Sequence, residues 1–251
     1  MIENDIYQTI FKRKSIRDYN LTPFDEDTLK EIEEYLCALK PLYSEIRTEL
    51  KILSLNDVKR RMMKKAPHYI AVFSQAKNGY FTNIGFMLQQ IDLFLSFNGI
   101  GSCWQGIPQP KKKVLKSSNL EFVILIAFGK PKVPLQRTST SEFRRKPLHE
   151  ITDISDADEL LEAARLAPSA ANSQPWYFTG DKTIINTYSV KPNILKALLI
   201  KKYISIDIGI ALYHLKVAAE YFGKTTEILF NETAKETPPK GYEYVLSLKV
   251  R

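Results

Sequence analysis

The 251-residue chain is 44% hydrophobic and 25% charged, an ordinary globular composition with enough apolar mass for one large domain or two small ones. Its formal charge of +8 suits an anionic partner, but the basic residues lie in groups at 12–17, 59–65, 111–116 and 144–146 rather than in one tail, and RNA-binding signatures and Cys/His finger spacings are absent, so no nucleic-acid partner is expected. Cys37 and Cys103 are too few for a disulfide framework or a zinc site, no apolar signal segment opens the chain and no apolar run reaches bilayer length, so the expected setting is soluble and cytoplasmic, with no membrane partner and no metal.

Ile2, Ile6 and Ile10 recur at helical spacing, so a short amphipathic helix opens the chain and delivers Arg13, Lys14, Ser15 and Arg17 at its end. Residues 25–39 read as a second helix with an acidic first turn, and 40–55 as less regular. A β-rich run at 69–74 and a break at Gly79 precede a long helix at about 81–98, apolar over most of its surface and therefore central. The stretch GIGSCWQG at 99–106 reads as a loop whose glycines let the backbone approach a ligand. A lysine-rich helix at 111–116 is followed by EFVILIAFG at 121–129, a strand buried on both faces, and then by a polar, proline-bearing connection ending in RRKPLHEI.

The pattern then begins again. A helix over 156–167 should end at Pro168, which disfavours helical geometry in the residue before it. Ser169, Ala170, Ala171, Asn172 and Ser173 offer hydroxyls, an amide and unobstructed backbone N–H groups to a flat ligand, and Pro175 and Trp176 stiffen the exit. Strands are expected at 176–179 and 183–188, a second long helix at 205–223, and closing strands at 225–230 and 242–250. The helix SIDIGIALYHLKVAAEYFG echoes TNIGFMLQQIDLFLSFNG of the first half, and internal duplication is the economical explanation.

Four stretches together resemble the nitroreductase family. Ala167, Pro168, Ser169, Asn172, Gln174, Pro175 and Trp176 follow its APS-x-x-N-x-Q-P-W motif. Arg13, Ser15, Arg17 and Tyr19 follow its R-x-S-x-R-x-(F/Y) opening, and 99–106 is similar to its Gly-x-Gly-(T/S)-Cys-Trp-x-Gly stretch. The run from Arg145 to Leu148 looks like the Arg-Lys-Pro-Leu tail that closes ordinary family subunits.

The resemblance implies an α+β, nitroreductase-like fold with FMN as cofactor and NADH or NADPH as reductant. The family builds its flavin site at a dimer interface. Here the implied arrangement is two fused subdomains, 1–150 and 151–251, forming an internal pseudo-dimer that acts as a monomer. The first half lacks the Ala-Pro-Ser motif and the second lacks the Cys-Trp stretch, so one FMN per chain is expected. By the resemblance, Arg13, Lys14, Ser15 and Arg17 serve the phosphate, ribityl chain and flavin ring. Trp104, Gln105 and Gly106 lie along the flavin, with Gln105 or Gly106 donating a backbone N–H near N5. Arg145, and secondarily Arg144, add to the phosphate site, and Pro168, Ser169, Ala170 and Asn172 complete the binding set.

The implied reaction is ping-pong hydride transfer from NAD(P)H to a small acceptor such as a nitroaromatic or a quinone. The cofactor carries the chemistry and no side chain is expected to be catalytic; His68, His149 and His214 read as structural, and Cys103 as a small buried residue. Two other classes compete with this reading. A flavin-binding sensor or sequestering protein would bind FMN without turnover, and a basic nucleic-acid-binding protein would show affinity falling steeply with salt.

Overall fold

A computed structural model describes residues 3–59, 65–192 and 197–251. Ile2, most of the basic group at 59–65 and residues 193–196 thus lie outside the described residues. The chain forms two compact units, Lys12–Ser139 and Met1–Phe11 joined with Thr140–Arg251. The halves expected at 1–150 and 151–251 differ from these units by the N-terminal helix α1 (Glu3–Ile10) and the segment 140–150, which both pack with the C-terminal unit.

The Lys12–Ser139 unit begins its regular structure with α2 (Glu26–Ala38), capped by Asp25, whose carboxylate accepts the Thr28 N–H at 2.8 Å. The strands β1 (Thr48–Ser54) and β2 (His68–Ser74), the helix α3 (Tyr80–Phe97), the strand β3 (Gly101–Gln105), the short helix α4 (Lys112–Leu115) and the strand β4 (Glu121–Gly129) follow. The four strands form an antiparallel sheet in the order β1-β2-β4-β3. The inner strands are covered on both faces, so β2 is buried throughout and β4 from Val123 onward, as their unbroken apolar runs require. Between β2 and β3 runs α3, almost wholly buried. It starts at Gly79, where φ is +80° and an added Cβ would lie 2.7 Å from the Tyr43 ring.

Two expectations for this unit need correction. The segment expected to be irregular at 40–55 contains β1, an edge strand whose Glu49 and Lys51 form an ion pair at 2.9 Å while Lys51 lies over the Phe73 ring. Charged residues with aliphatic stems cover an edge strand well and blur its alternation. The glycine stretch at 99–106, expected as a loop, contains the edge strand β3, paired residue for residue with β4 from Gly101↔Gly129 to Gln105↔Leu125.

The second unit contains 3₁₀ turns at Thr140–Phe143 and Leu148–Glu150, then α5 (Asp158–Arg165), β5 (Trp176–Gly180), β6 (Ile184–Val190), α6 (Ala197–Tyr221), β7 (Thr226–Leu229), α7 (Glu232–Glu236) and β8 (Tyr242–Val250). The sequence did not announce α7, and α6 begins at Ala197 rather than near 205. Against α6 packs α1, with the Tyr7 and Tyr221 rings stacked at 4.0 Å.

The same topology therefore occurs twice. The second sheet is antiparallel in the order β5-β6-β8-β7, with its long helix again between the second and third strands. Even the irregularity recurs: the β2–β4 register shifts between Val72 and Phe73 and the β6–β8 register between Thr187 and Tyr188, leaving Val123 and Val245 as the extra residues. Each long helix also carries two buried polar residues two turns apart that tie down the chain in front of the sheet. Asn83 Oδ1 accepts the Leu42 and Tyr43 N–H groups at 2.8 and 2.9 Å, and the Gln90 amide bonds both Lys40 N and O. In the second unit Asp207 accepts the Ala170 N–H, and His214 Nδ1 bonds the Ala163 carbonyl at 2.8 Å.

Candidate functional site

The residues singled out from sequence fall into two sets, one in each unit. In the Lys12–Ser139 unit the basic segment runs alongside β3. Ser15 and Ser102 form a parallel bridge, and the Ile16 N–H donates to the Ser102 carbonyl at 2.9 Å. Ile16 is fully buried there, and Gly101 makes room for it: an added Cβ would lie 2.8 Å from Ile16 Cγ2. This packing brings Arg13, Lys14, Ser15 and Arg17 onto a segment adjacent to the strand bearing Trp104 and Gln105, with Gly106 just beyond it.

The arginine at the head of that segment is not a free cation. Arg13 is only 1% exposed, its Nε lies 3.0 Å from Asp92 Oδ2 on α3, and its terminal nitrogen donates to Ser15 Oγ at 3.1 Å. Asp92 also accepts from Ser102 Oγ at 2.6 Å and from Gln89 Nε2 at 3.3 Å, and Arg137 donates to the Arg13 carbonyl. The outward cations are Lys14, half-buried, and Arg17, exposed. The Trp104 indole N–H is buried without a partner among the described residues, a donor that a ligand acceptor would satisfy. Cys103 beside it is buried, and that burial pushes its thiol up, away from the reactive thiolate.

In the second unit the Arg-Lys-Pro-Leu segment and the Ala-Pro-Ser loop lock onto each other. Arg145 donates to the carbonyls of Ala167 at 3.1 Å and Phe143 at 2.9 Å and to Asn172 Oδ1; the Asn172 amide returns a bond to the Arg144 carbonyl at 2.9 Å. Gln174 accepts the Lys146 N–H at 2.7 Å and donates to the Asn172 carbonyl at 3.0 Å, while Ser169 Oγ accepts the Gln174 N–H at 2.9 Å. Arg145, expected as the better phosphate ligand, thus holds the loop, whereas the Arg144 side chain is exposed. Pro168 is buried, Ser169 half-buried, and Ala170 and Asn172 are exposed.

The expectation of unobstructed backbone N–H groups needs correction. The Ala170 N–H points inward to both oxygens of Asp207, at 3.1 and 3.0 Å, and the Asn172 and Ser173 N–H groups close turns on Ser169 and Ala170. Arg144, Ala171, Asn172 and Gln174, the non-glycine residues with positive φ among the described residues, all belong to these two segments. Such conformations persist where the surroundings over-determine them, and they cluster at binding sites. Sequence reading missed Asp92 and Asp207, although a carboxylate inside an otherwise apolar helix was the available signal.

Neither set contains an activated nucleophile or base. His68 accepts the Phe24 N–H through Nε2 at 2.9 Å and its burial pushes its pKa down, so it serves as a neutral structural acceptor. His214 is likewise buried and bonded, and His149 is exposed. No cluster of His, Cys, Asp or Glu among the described residues could hold a metal ion. Taken unit by unit, the donor chemistry is of a kind that could meet an anionic ligand: Lys14, Arg17 and a buried Trp104 indole N–H without a partner among the described residues in the Lys12–Ser139 unit, and, separately, an exposed Arg144 with small residues of positive φ at Ala171 and Asn172 in the second unit.

Comparison with solved structures identifies the fold. A "putative nitroreductase" from Thermotoga maritima aligns over 97% of this chain and 93% of its own, with 23% identity and a TM-score of 0.67. An "FMN-dependent Nitroreductase" from Clostridium difficile R20291 covers 57% of this chain and 95% of its own at 16% identity and a TM-score of 0.43. A "putative nitroreductase in complex with fmn" from Desulfovibrio desulfuricans covers 58% and 93% at 19% identity and a TM-score of 0.41. No curated protein matches the sequence. The fold is nitroreductase-like, and since residues 5–219 match the family described as "Putative TM nitroreductase", the chain belongs to that family.

Proposed function

We propose that the chain is an FMN-dependent oxidoreductase that takes reducing equivalents from NADH or NADPH and passes them to a small acceptor, a nitroaromatic, a quinone or a related compound. The observation that carries this reading is the packing of the basic segment against β3 in a chain of this family, with the Trp104 N–H left unsatisfied beside it. FMN, when bound, would supply the hydride and electron chemistry. The protein would bind and orient it. Lys14 and Arg17 would place positive charge toward the phosphate and the pyrimidine edge of the ring, and Ser15 would offer a hydroxyl to the ribityl chain. Trp104, Gln105 and Gly106 would lie along the ring, with a backbone N–H from the last two near N5. In the other unit, Ser169, Ala170 and Asn172 would present small polar surface beside Pro168, and Arg144 would be the better placed of the two arginines for an anion.

The repeated topology supports internal duplication, each unit standing for one subunit. The expectation of one FMN per chain rests on the sequence, where each half retains motifs that the other has lost. The reading is tested by reconstituting the purified chain with FMN and following NADH and NADPH oxidation with menadione or a nitrofuran as acceptor. Steady, acceptor-dependent turnover supports it. Bound flavin without turnover would leave a flavin-binding protein instead.

A further inference from the structure

Asp207 is 3% exposed and sits in α6 between the buried Ile206 and Ile208. Its two oxygens share the Ala170 N–H, and the Ser173 side chain donates to it as well, so the partners are neutral. Burial pushes the carboxyl well above the ordinary carboxylate range, against the pull of these donors. A buried carboxyl without a cation is costly, so its retention calls for a structural reason. The loop supplies one. Ala171, Asn172 and Gln174 hold φ values of 52°, 58° and 50°, a left-handed backbone that is strained for any residue with a Cβ. Gln174, Lys146 and Arg145 brace this strained backbone from one side. From the helix side, Asp207 fixes Ala170 and Ser173.

The other unit solves the same problem with a neutral group. Asn83, preceding the Ile-Gly echo of α3 by one residue as Asp207 does the Ile-Gly pair of α6, accepts the Leu42 and Tyr43 N–H groups. An amide oxygen is therefore sufficient at this position in this fold. We propose that Asp207 is the positioning residue of the 169–173 loop: by turning the Ala170 N–H inward it fixes the backbone that presents Ser169, Ala171 and Asn172 to the cofactor. This role rests on the FMN reading above for its functional consequence, but its structural half stands apart from it.

The test uses the full chain with Asp207→Asn and Asp207→Ala. Amide hydrogen exchange at Ala170 is measured without added flavin, and FMN affinity by quenching of its fluorescence. Asp207→Asn should keep slow Ala170 exchange and an FMN Kd within about threefold of the wild type, because Asn retains the acceptor. Asp207→Ala, with its fold checked by circular dichroism, should exchange Ala170 at least about tenfold faster and bind FMN about tenfold more weakly, the worth of one hydrogen bond. If Asp207→Ala does not fold, Ser173→Ala and Asp207→Asn carry the comparison, with Ser173→Ala expected to speed Ala170 exchange only severalfold. Unchanged Ala170 exchange in Asp207→Ala, or in Ser173→Ala if that substitutes for it, would overturn the proposal, as would Asp207→Asn losing Ala170 protection. If the wild type binds no FMN while Ala170 exchange follows the expected order, the cofactor reading fails and the positioning of the loop survives.

Discussion

Arg13 Nε lies 3.0 Å from Asp92 Oδ2, with the two side chains 2% and 0% exposed. The first arginine of the basic segment thus clamps that segment to α3, and the cations left to meet a ligand are Lys14 and Arg17. Removing one partner of a buried pair leaves an uncompensated charge. Asp92→Asn should therefore lower stability by about 3–5 kcal/mol in urea unfolding, and Arg13→Met with Asp92→Leu should recover most of the loss. A small effect of Asp92→Asn would show that the pair does not hold the segment.

Arg144 and Arg145 should separate cleanly. Arg145→Ala loses donors to the Ala167 and Phe143 carbonyls and to Asn172 and should cost roughly 1–3 kcal/mol. Arg144→Ala should stay within about 0.5 kcal/mol of the wild type in thermal unfolding while weakening FMN binding at low salt.

Gly101 sets the spacing between the basic segment and β3. Gly101→Ala places a methyl group 2.8 Å from Ile16 Cγ2 and should destabilise by about 1–3 kcal/mol. Ile16→Val added to Gly101→Ala should relieve part of the strain, seen as a partial return of the melting temperature.

His68 accepts the Phe24 N–H in its neutral form, and burial lowers its folded pKa below the unfolded value of 6.5. The unfolded chain then binds the proton more readily, so the His68 contribution is present above pH 6.5 and lost as pH falls through the folded pKa. His68→Gln should flatten the acid side of the stability profile below pH 6.5, measured as melting temperature against pH.

The repeat was legible because long buried helices and continuous apolar strands leave strong periodic signals: 81–98 and 121–129 were read within a residue or so of α3 and β4. The edge strands were not. β1 carries Glu49 and Lys51 and β3 opens with glycine, so solvent-facing charge and a steric need at Gly101 concealed their pairing. Motif residues of the candidate site were found by order along the chain, but their duties were not. Arg13 and Arg145 each resemble ligands in sequence, yet Arg13 pairs its charge with Asp92 and donates to Ser15, while Arg145 donates to backbone carbonyls and to Asn172, a distinction set by contacts across many residues. Asp92 and Asp207 were overlooked because a lone carboxylate gives no spacing pattern; the one signal it leaves is a charge inside an otherwise apolar helix, which its burial then explains.

The central claim is that this chain holds FMN. Its most direct test is the visible absorption spectrum of freshly purified protein, before and after incubation with excess FMN and desalting, with released flavin identified and counted per chain. A flavin spectrum with about one FMN per chain is the predicted result. No retained flavin after reconstitution would contradict the cofactor assignment, and about two per chain would contradict the inference that the halves have complementary losses.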